Sequence, residues 1–292
     1  MKDLFRRSLT GIIYVVVIVA LVSISRMSLM LLQLLLICAG LLEFRRLSTL
    51  TPRGWLITVA DLLGGILMLC AVDSFLGVFH LHDFSTAEMM PLLAMTIFGA
   101  SMFLVYIIAR LLLELYRGDE RPISSLAHSF LGQLYIALPV SLMMVVYDFG
   151  GAPLVLAMFI MIWLNDTGAY CVGSLFGRHR LFERVSPKKS WEGFFGGMAF
   201  GLLSVPVFKY CFPDSFSEPI WWYLAMAVIV SIFGTWGDLV ESMMKRALHV
   251  KDSGNILPGH GGLLDRIDSL LLVLPAMTLF IALTYIVTLS LS

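Results

Sequence analysis

Charge is scarce in this chain of 292 residues: Asp, Glu, Lys and Arg make up 14% of it, and 20 basic and 20 acidic side chains cancel to zero. A soluble domain carries about 25% charged and about 45–50% apolar residues. Here 59% of residues are hydrophobic and the mean hydropathy is +0.90. Forty charges, most of them in short clusters, cannot cover a water-facing surface. A soluble globule is excluded, and so is a disordered chain. With no basic excess there is no stripe for a nucleic-acid backbone, so no nucleic-acid partner is expected. Cysteine is equally sparse. Cys38, Cys70, Cys171 and Cys211 show no C-x-x-C spacing, which argues against a zinc site or a disulfide framework and leaves small buried hydrophobes. Neither a G-x-x-x-x-G-K-[ST] loop nor a strand-linked G-x-G-x-x-G is present, so no soluble-type nucleotide fold is grafted on. Internal repeats of the kind that build two-part transporters are missing as well.

What the chain does have is apolar runs of membrane-crossing length. They fall near residues 10–25, 27–42, 55–72, 90–109, 129–147, 152–175, 193–212, 220–237 and 269–291. This predicts an all-α polytopic integral membrane protein of about nine transmembrane helices. The start, Lys2 to Arg7 followed by an apolar stretch, reads as a retained anchor. With the N-terminus cytoplasmic, nine spans leave only Arg26 and Lys209, of the 20 Lys and Arg residues, on the outer side. That is the asymmetry the positive-inside rule demands.

The chain divides by content. Residues 1–150 hold spans and short basic loops and read as lipid-facing scaffold, whereas residues 151–292 carry polar, glycine-rich stretches between spans and read as the catalytic region. Trp163 to Tyr170 places Asn165 and Asp166 at membrane depth, where an ionisable group ordinarily faces a bundle interior or wet cavity. The alternative is an interhelical hydrogen-bonding spot. Ser186 to Gly193 sets Lys188 and Lys189 just before a helix, with Pro187 and Ser190 as residues that open it. Cations beside free backbone N–H groups make an anion site, although such residues also serve lipid headgroups.

The third stretch is the densest. Asp238, Glu241, Ser242 and Lys245 share one helical face by three- and four-residue steps, and Asp265 and Asp268 do the same at the start of the last span. Two acid-bearing helices meeting near the membrane surface suit a hard cation. Mg²⁺ in particular takes a few carboxylates together with substrate phosphate oxygens. The turn Pro258-Gly259-His260-Gly261-Gly262 lets backbone approach a ligand, and its N–H groups are candidates for holding phosphate. Salt bridges among these residues are the plainer reading. His260 either donates to a phosphate or orients the turn.

The run from Ser242 to Asp268, S-M-M-K-R-A-L-H-V-K-D-S-G-N-I-L-P-G-H-G-G-L-L-D-R-I-D, resembles the signature of the phosphatidate cytidylyltransferases. The blocks Asn165 to Tyr170 and Ser186 to Gly193 resemble that family too, with Ser190 where threonine is more usual. By motif the resemblance covers roughly residues 160–270. It implies that CTP and phosphatidic acid are converted to CDP-diacylglycerol and pyrophosphate in bacterial phospholipid synthesis. It further implies a multi-pass enzyme of the inner membrane, using Mg²⁺ and a possible second, monovalent cation, and forming a homodimer in the bilayer. On this reading Asp238, Asp265 and Asp268 hold the metal with Asp166 joining or supporting them. Lys188, Lys189, Lys245, Arg246, Lys251 and Arg266 bind phosphates, and Asn165, Ser242, Asp252, His260, Gly261 and Gly262 complete substrate binding. The rivals are a CTP-dependent lipid-alcohol kinase and an ion path through Asp61, Asp166 and Asp238.

Overall fold

A computed structural model describes residues 2–47, 54–79, 86–254, 256 and 261–291. Arg53, His260 and the Pro258-Gly259 part of the glycine-rich turn lie outside the described residues. Helices dominate: α1 (Lys2–Ile24), α2 (Arg26–Leu47), α3 (Trp55–Phe79), α4 (Thr86–Arg117), α5 (Pro122–Gly132), α6 (Leu138–Ser141), α7 (Met143–Phe176), α8 (Trp191–Cys211), α9 (Ile220–Ala247) and α10 (Leu264–Leu291). Each apolar run read from the sequence falls on helix. Among the described residues, seven helical stretches are long and apolar enough to cross a membrane, and Leu9–Ile24 adds a shorter apolar helix. One of the seven, Pro122–Phe176, is 55 residues long. Its backbone leaves helical geometry at Gly150 and Gly151, two residues before Pro153, so the sequence runs 129–147 and 152–175 sit on either side of a break.

Irregular backbone in an apolar bundle needs internal partners for its freed carbonyls. Residues Gln133–Ala137 form a π-helical turn between α5 and α6. Just beyond it, the carbonyls of Val140 and Ser141 accept from the Gln33 side chain of α2, at 2.9 and 3.1 Å. Gln133 in turn donates to the Asp61 carbonyl at 2.7 Å.

Successive helices from α7 to α10 pack on one another, and α3 packs on α4. The core lies where α2, the π turn, α7, α9 and α10 converge, around Ile37, Ile136, Met158, Met226 and Ile267. Large apolar side chains on the outer faces remain exposed, as in Ile12, Phe98, Leu203 and Ile286. A bundle in lipid has no reason to cover them.

The cysteines are not the buried hydrophobes expected, since Cys70, Cys171 and Cys211 are exposed and Cys38 is half-buried, and two further features depart from the sequence reading. A small antiparallel hairpin, β1 (Arg180–Phe182) and β2 (Ser186–Ser190), interrupts the helices. And Arg110, which charge counting assigns to an inside loop, is wholly buried in α4. Its guanidinium donates to Glu114 at 2.7 Å, Ser125 at 2.8 Å and Ser129 at 3.0 Å, and lies 3.6 Å from Asp61. Arg45 lies 3.5 Å from the same aspartate, while Tyr106 and Ser129 donate to it. Asp61 is therefore paired within the packing of α2 to α5, and this balanced network fastens the scaffold helices together.

Candidate active site

The bundle has two polar ends. Arg26, at the start of α2, bonds Asp73 at 2.7 Å and Asp148 at 3.2 Å. Glu43, on the same helix, lies roughly 25 Å along the axis by the rise per residue, and its end gathers almost every site residue expected from the sequence. Lys209, at the far end of α8, donates to the carbonyls of Phe216 and Glu218, away from those residues.

The carboxylate face of α9 forms as its spacing predicts. Lys245 Nζ donates to Glu241 Oε2 at 2.7 Å, one helical turn back, and to Asp265 Oδ1 of α10 at 2.6 Å. Ser242 Oγ donates to Asp238 Oδ1 at 3.2 Å. Close approach of α9 and α10 is allowed by Gly237, where any Cβ would collide with the Asp268 carbonyl and lie 2.9 Å from the Ser269 Cα. An alanine there would force the two acid-bearing helices apart.

Strand geometry explains the unequal fates of the two adjacent lysines. Side chains alternate across a strand, so Lys189 turns inward to Asp238 Oδ2 at 2.6 Å, while Lys188 faces out. Ser190 then caps α8, its Oγ accepting from the Gly193 N–H at 3.1 Å, and Pro187 belongs to the strand. Glu192 accepts from the backbone N–H groups of Arg178 and His179, which closes the base of the hairpin. Arg246 of α9 donates to the Val185 carbonyl at 3.5 Å and ties the hairpin to the site.

Asp268 is buried at 9% exposure and lies within electrostatic reach of Asp238, Glu241 and Asp166. Neither Asp166 nor Asp268 has an ion-pair partner among the described residues. Both line a cavity of about 230 Å³ between α1, α7 and α10, together with Tyr14, Trp163, Asp265 and Arg266. Tyr14 donates to the Arg266 carbonyl at 3.3 Å. Acids thus outnumber nearby cations around this cavity, an arrangement that costs free energy unless a positive charge is supplied. Among the described residues no three His, Cys, Asp or Glu side chains close on one point as a ready metal cage. A hard cation that shares its coordination between one or two carboxylates and substrate phosphates fits this donor set, and a closed protein cage does not.

Asp265 is engaged differently from the other three. Its Oδ2 accepts the N–H groups of Ser253 and Gly262, each at 3.0 Å, while Oδ1 holds Lys245. Among the described residues, backbone donors at the end of the glycine-rich turn and the start of α10 are accordingly spent on side chains. Gly262 N–H goes to Asp265, Leu264 N–H to Glu43 at 2.8 Å, and Asp265 N–H to Ser253 Oγ at 3.3 Å. Phosphate binding by Gly262 N–H, as the sequence suggested, therefore competes with an existing carboxylate. Gly261 adopts φ +87° beside Asp265. Lys251 and Asp252 are exposed on the same loop, and Asn165 is buried with its Oδ1 close to Gly197 of α8 and its side chain next to Asp166.

Glu43 is the residue sequence reasoning missed. It sits on α2, far from any motif, and is wholly buried. Its Oε2 caps α10 through Leu264 N–H and lies 3.4 Å from Ser253 Oγ. A carboxylate at a helix N-terminus satisfies a free donor and favours the helix dipole. The available signal was an acid on an otherwise apolar helix, which must be paired or capping. Glu43→Ala is expected to lower stability by about 1–3 kcal/mol, since a buried backbone donor loses its partner, and Glu43→Gln to recover most of that. Thermal unfolding in detergent micelles measures both.

Comparison with known proteins points one way. A sequence profile described as the Cytidylyltransferase family matches residues 5–284. A phosphatidate cytidylyltransferase of Staphylococcus haemolyticus is 50% identical over 131 residues, which make up 45% of this chain and 50% of that protein. Phosphatidate cytidylyltransferases of Staphylococcus saprophyticus and Staphylococcus aureus are 48% identical over the same length and shares. The matched part spans about half the length of these curated relatives.

Proposed function

The chain belongs to the cytidylyltransferase family, and from that premise we propose that it transfers cytidylyl from CTP to phosphatidic acid, giving CDP-diacylglycerol and pyrophosphate. The observation that carries this reading is Asp166 and Asp268, without ion-pair partners among the described residues, facing one cavity, with Lys189 held nearby on Asp238 and Lys245 on Asp265. An acid surplus flanked by oriented lysines is what two polyanions require before they can be brought together. In this reading the break at Gly150–Gly151 separates two crossings, so that the 55-residue stretch and Leu9–Ile24 bring the total to nine. The site end then faces the cytoplasm of a bacterial inner membrane, where CTP is found.

The reaction asks little covalent work of the protein. A phosphate monoester has its second pKa near ~6, so the phosphatidate oxygen is already largely dianionic at neutral pH. It attacks the α-phosphorus of CTP; the new P–O bond forms as the bond to the β-phosphate oxygen breaks, and pyrophosphate leaves with that electron pair. No general base is required, and catalysis reduces to positioning and charge stabilisation. Asp268 and Asp166, the two acids that line the cavity without an ion-pair partner among the described residues, would hold Mg²⁺, with Asp238 beside them on Lys189 and Asp265 bracing Lys245. When bound, the cation supplies Lewis-acid neutralisation of phosphate oxygens. Lys189 and Lys245 carry positive charge to the phosphates, and Arg266, on the cavity rim, meets them from α10. A second, monovalent cation and a homodimer belong to the same proposal.

The test is release of pyrophosphate from CTP by the purified chain in mixed micelles. The expected result is release that needs both phosphatidate and Mg²⁺, with CDP-diacylglycerol formed in equal amount. CDP as the nucleotide product, with a lipid alcohol as acceptor, would establish the kinase instead. No turnover of CTP with either lipid would end the reading.

A further inference from the structure

One group at the site belongs to neither the motifs nor the chemistry above. Tyr135 stands on the π-helical turn of the N-terminal half and is 7% exposed, and its hydroxyl has no hydrogen-bond partner among the described residues. Leaving a buried donor unmade costs about 1–3 kcal/mol, and native proteins keep few such groups. The ring is held from the side by Phe44, at 6.3 Å between centroids. The neighbouring Ile136 presses on α2 at Gly40, where Ile267, next to Asp268 on α10, also arrives. The π turn therefore abuts the start of α10, and the hydroxyl lies within electrostatic reach of Glu241, Asp268 and Asp238. Glu241, buried at 1% exposure, has an oxygen of its own, Oε1, without a partner. An unpaired donor and an unpaired acceptor thus flank the same acid cluster from two different helices. A π turn carries one residue more than an α turn, which redirects the side chains on it, and such turns gather at functional sites.

We infer that Tyr135 is a positioning residue of the cation site: its hydroxyl donates to the Asp268 carboxylate, beside Glu241, once a cation occupies the site. The inference rests on the metal reading proposed above. It makes the N-terminal half part of the site's geometry rather than scaffold alone. Carboxylates that ligate a metal need outer hydrogen bonds to fix their orientation, and loss of such a partner weakens metal affinity or activity about 10–100-fold. The hydroxyl is then retained at a cost to the unloaded protein because it acts in the loaded one.

The experiment is a Mg²⁺ titration of thermal unfolding, without substrates, on the purified chain in detergent. A cation that binds only the folded state raises the transition in proportion to its occupancy. Tyr135→Phe keeps the ring packing and removes only the oxygen. It is expected to unfold at or slightly above the wild-type temperature without Mg²⁺, and to need about 10–100-fold more Mg²⁺ for half of the stabilisation. A parallel rise in the Mg²⁺ needed for turnover should accompany this, with the KM for phosphatidate unchanged at saturating Mg²⁺. Tyr135→Met, which fills the space without a donor, is the second variant should the first fail to fold, with the same shift expected. Equal half-saturation in wild type and variant overturns the role of Tyr135 and leaves the metal reading standing. A wild-type protein that Mg²⁺ does not stabilise, at any concentration up to that supporting turnover, overturns both.

Discussion

Asp268→Asn is expected to reduce cytidylyl transfer by about 10²–10³-fold or more while leaving the protein as stable as before, or more so. The magnitude is what removal of one preorganised electrostatic contact costs in other active sites. The opposite sign for stability follows from the surroundings. Asp268 is buried with Asp238, Glu241 and Asp166 in reach and without an ion-pair partner among the described residues. Like charges in a low-dielectric site repel, so a neutral side chain of the same size relieves the folded state. Asparagine keeps an oxygen to accept the Ser269 N–H, now made at 2.6 Å by Asp268 Oδ1. Activity and thermal unfolding measured on one preparation decide the matter. An active Asp268→Asn enzyme would remove this residue from the site. An inactive but strongly destabilised one would make it a structural residue. Function bought at the expense of stability is the usual mark of a strained active site.

Lys245→Met is the second large effect and runs the other way, with stability and activity lost together. The ammonium sits between Glu241 at 2.7 Å and Asp265 at 2.6 Å, with Glu241 almost wholly buried. Removing one partner from a buried ion pair leaves uncompensated charge and costs about 3–5 kcal/mol. The effect spreads beyond the pair, because Asp265 also holds the Ser253 and Gly262 N–H groups and through them the loop before α10. The double variant Lys245→Met/Glu241→Gln is expected to regain much of the stability, since the most buried carboxylate no longer needs a counter-charge. It should not regain turnover, because the ammonium proposed to meet the phosphates is still missing. Recovery of both would assign Lys245 a purely structural part.

The two predictions separate residues that the sequence treats alike. Asp265 and Asp268 sit three apart on one helix, and by motif they carry the same role. The structure gives Asp265 an ammonium and two backbone donors, and gives Asp268 a cavity and a crowd of like charges. Such differences depend on what α9, the loop at Ser253 and α7 bring to each side chain. None of that is encoded in the three-residue step.

Hydrophobic runs and the polar face of α9 were both determined by the sequence itself, because each is set by local composition or by the 3.6-residue period. So was the clustering of Lys189, Asp238, Lys245, Asp265 and Asp268 within one region of the chain. Tertiary structure alone decided which lysine of Lys188-Lys189 meets Asp238, since that rests on a strand no helical pattern announces. It alone decided that Arg110 is buried with Glu114 and Asp61, and that Glu43 and Tyr135 reach the acid-rich end from helices without any motif. The physical reason is common to all of these. A buried polar group is defined by the partner across from it, and in a bundle that partner lies on another helix, as Leu264 does for Glu43, 221 positions away.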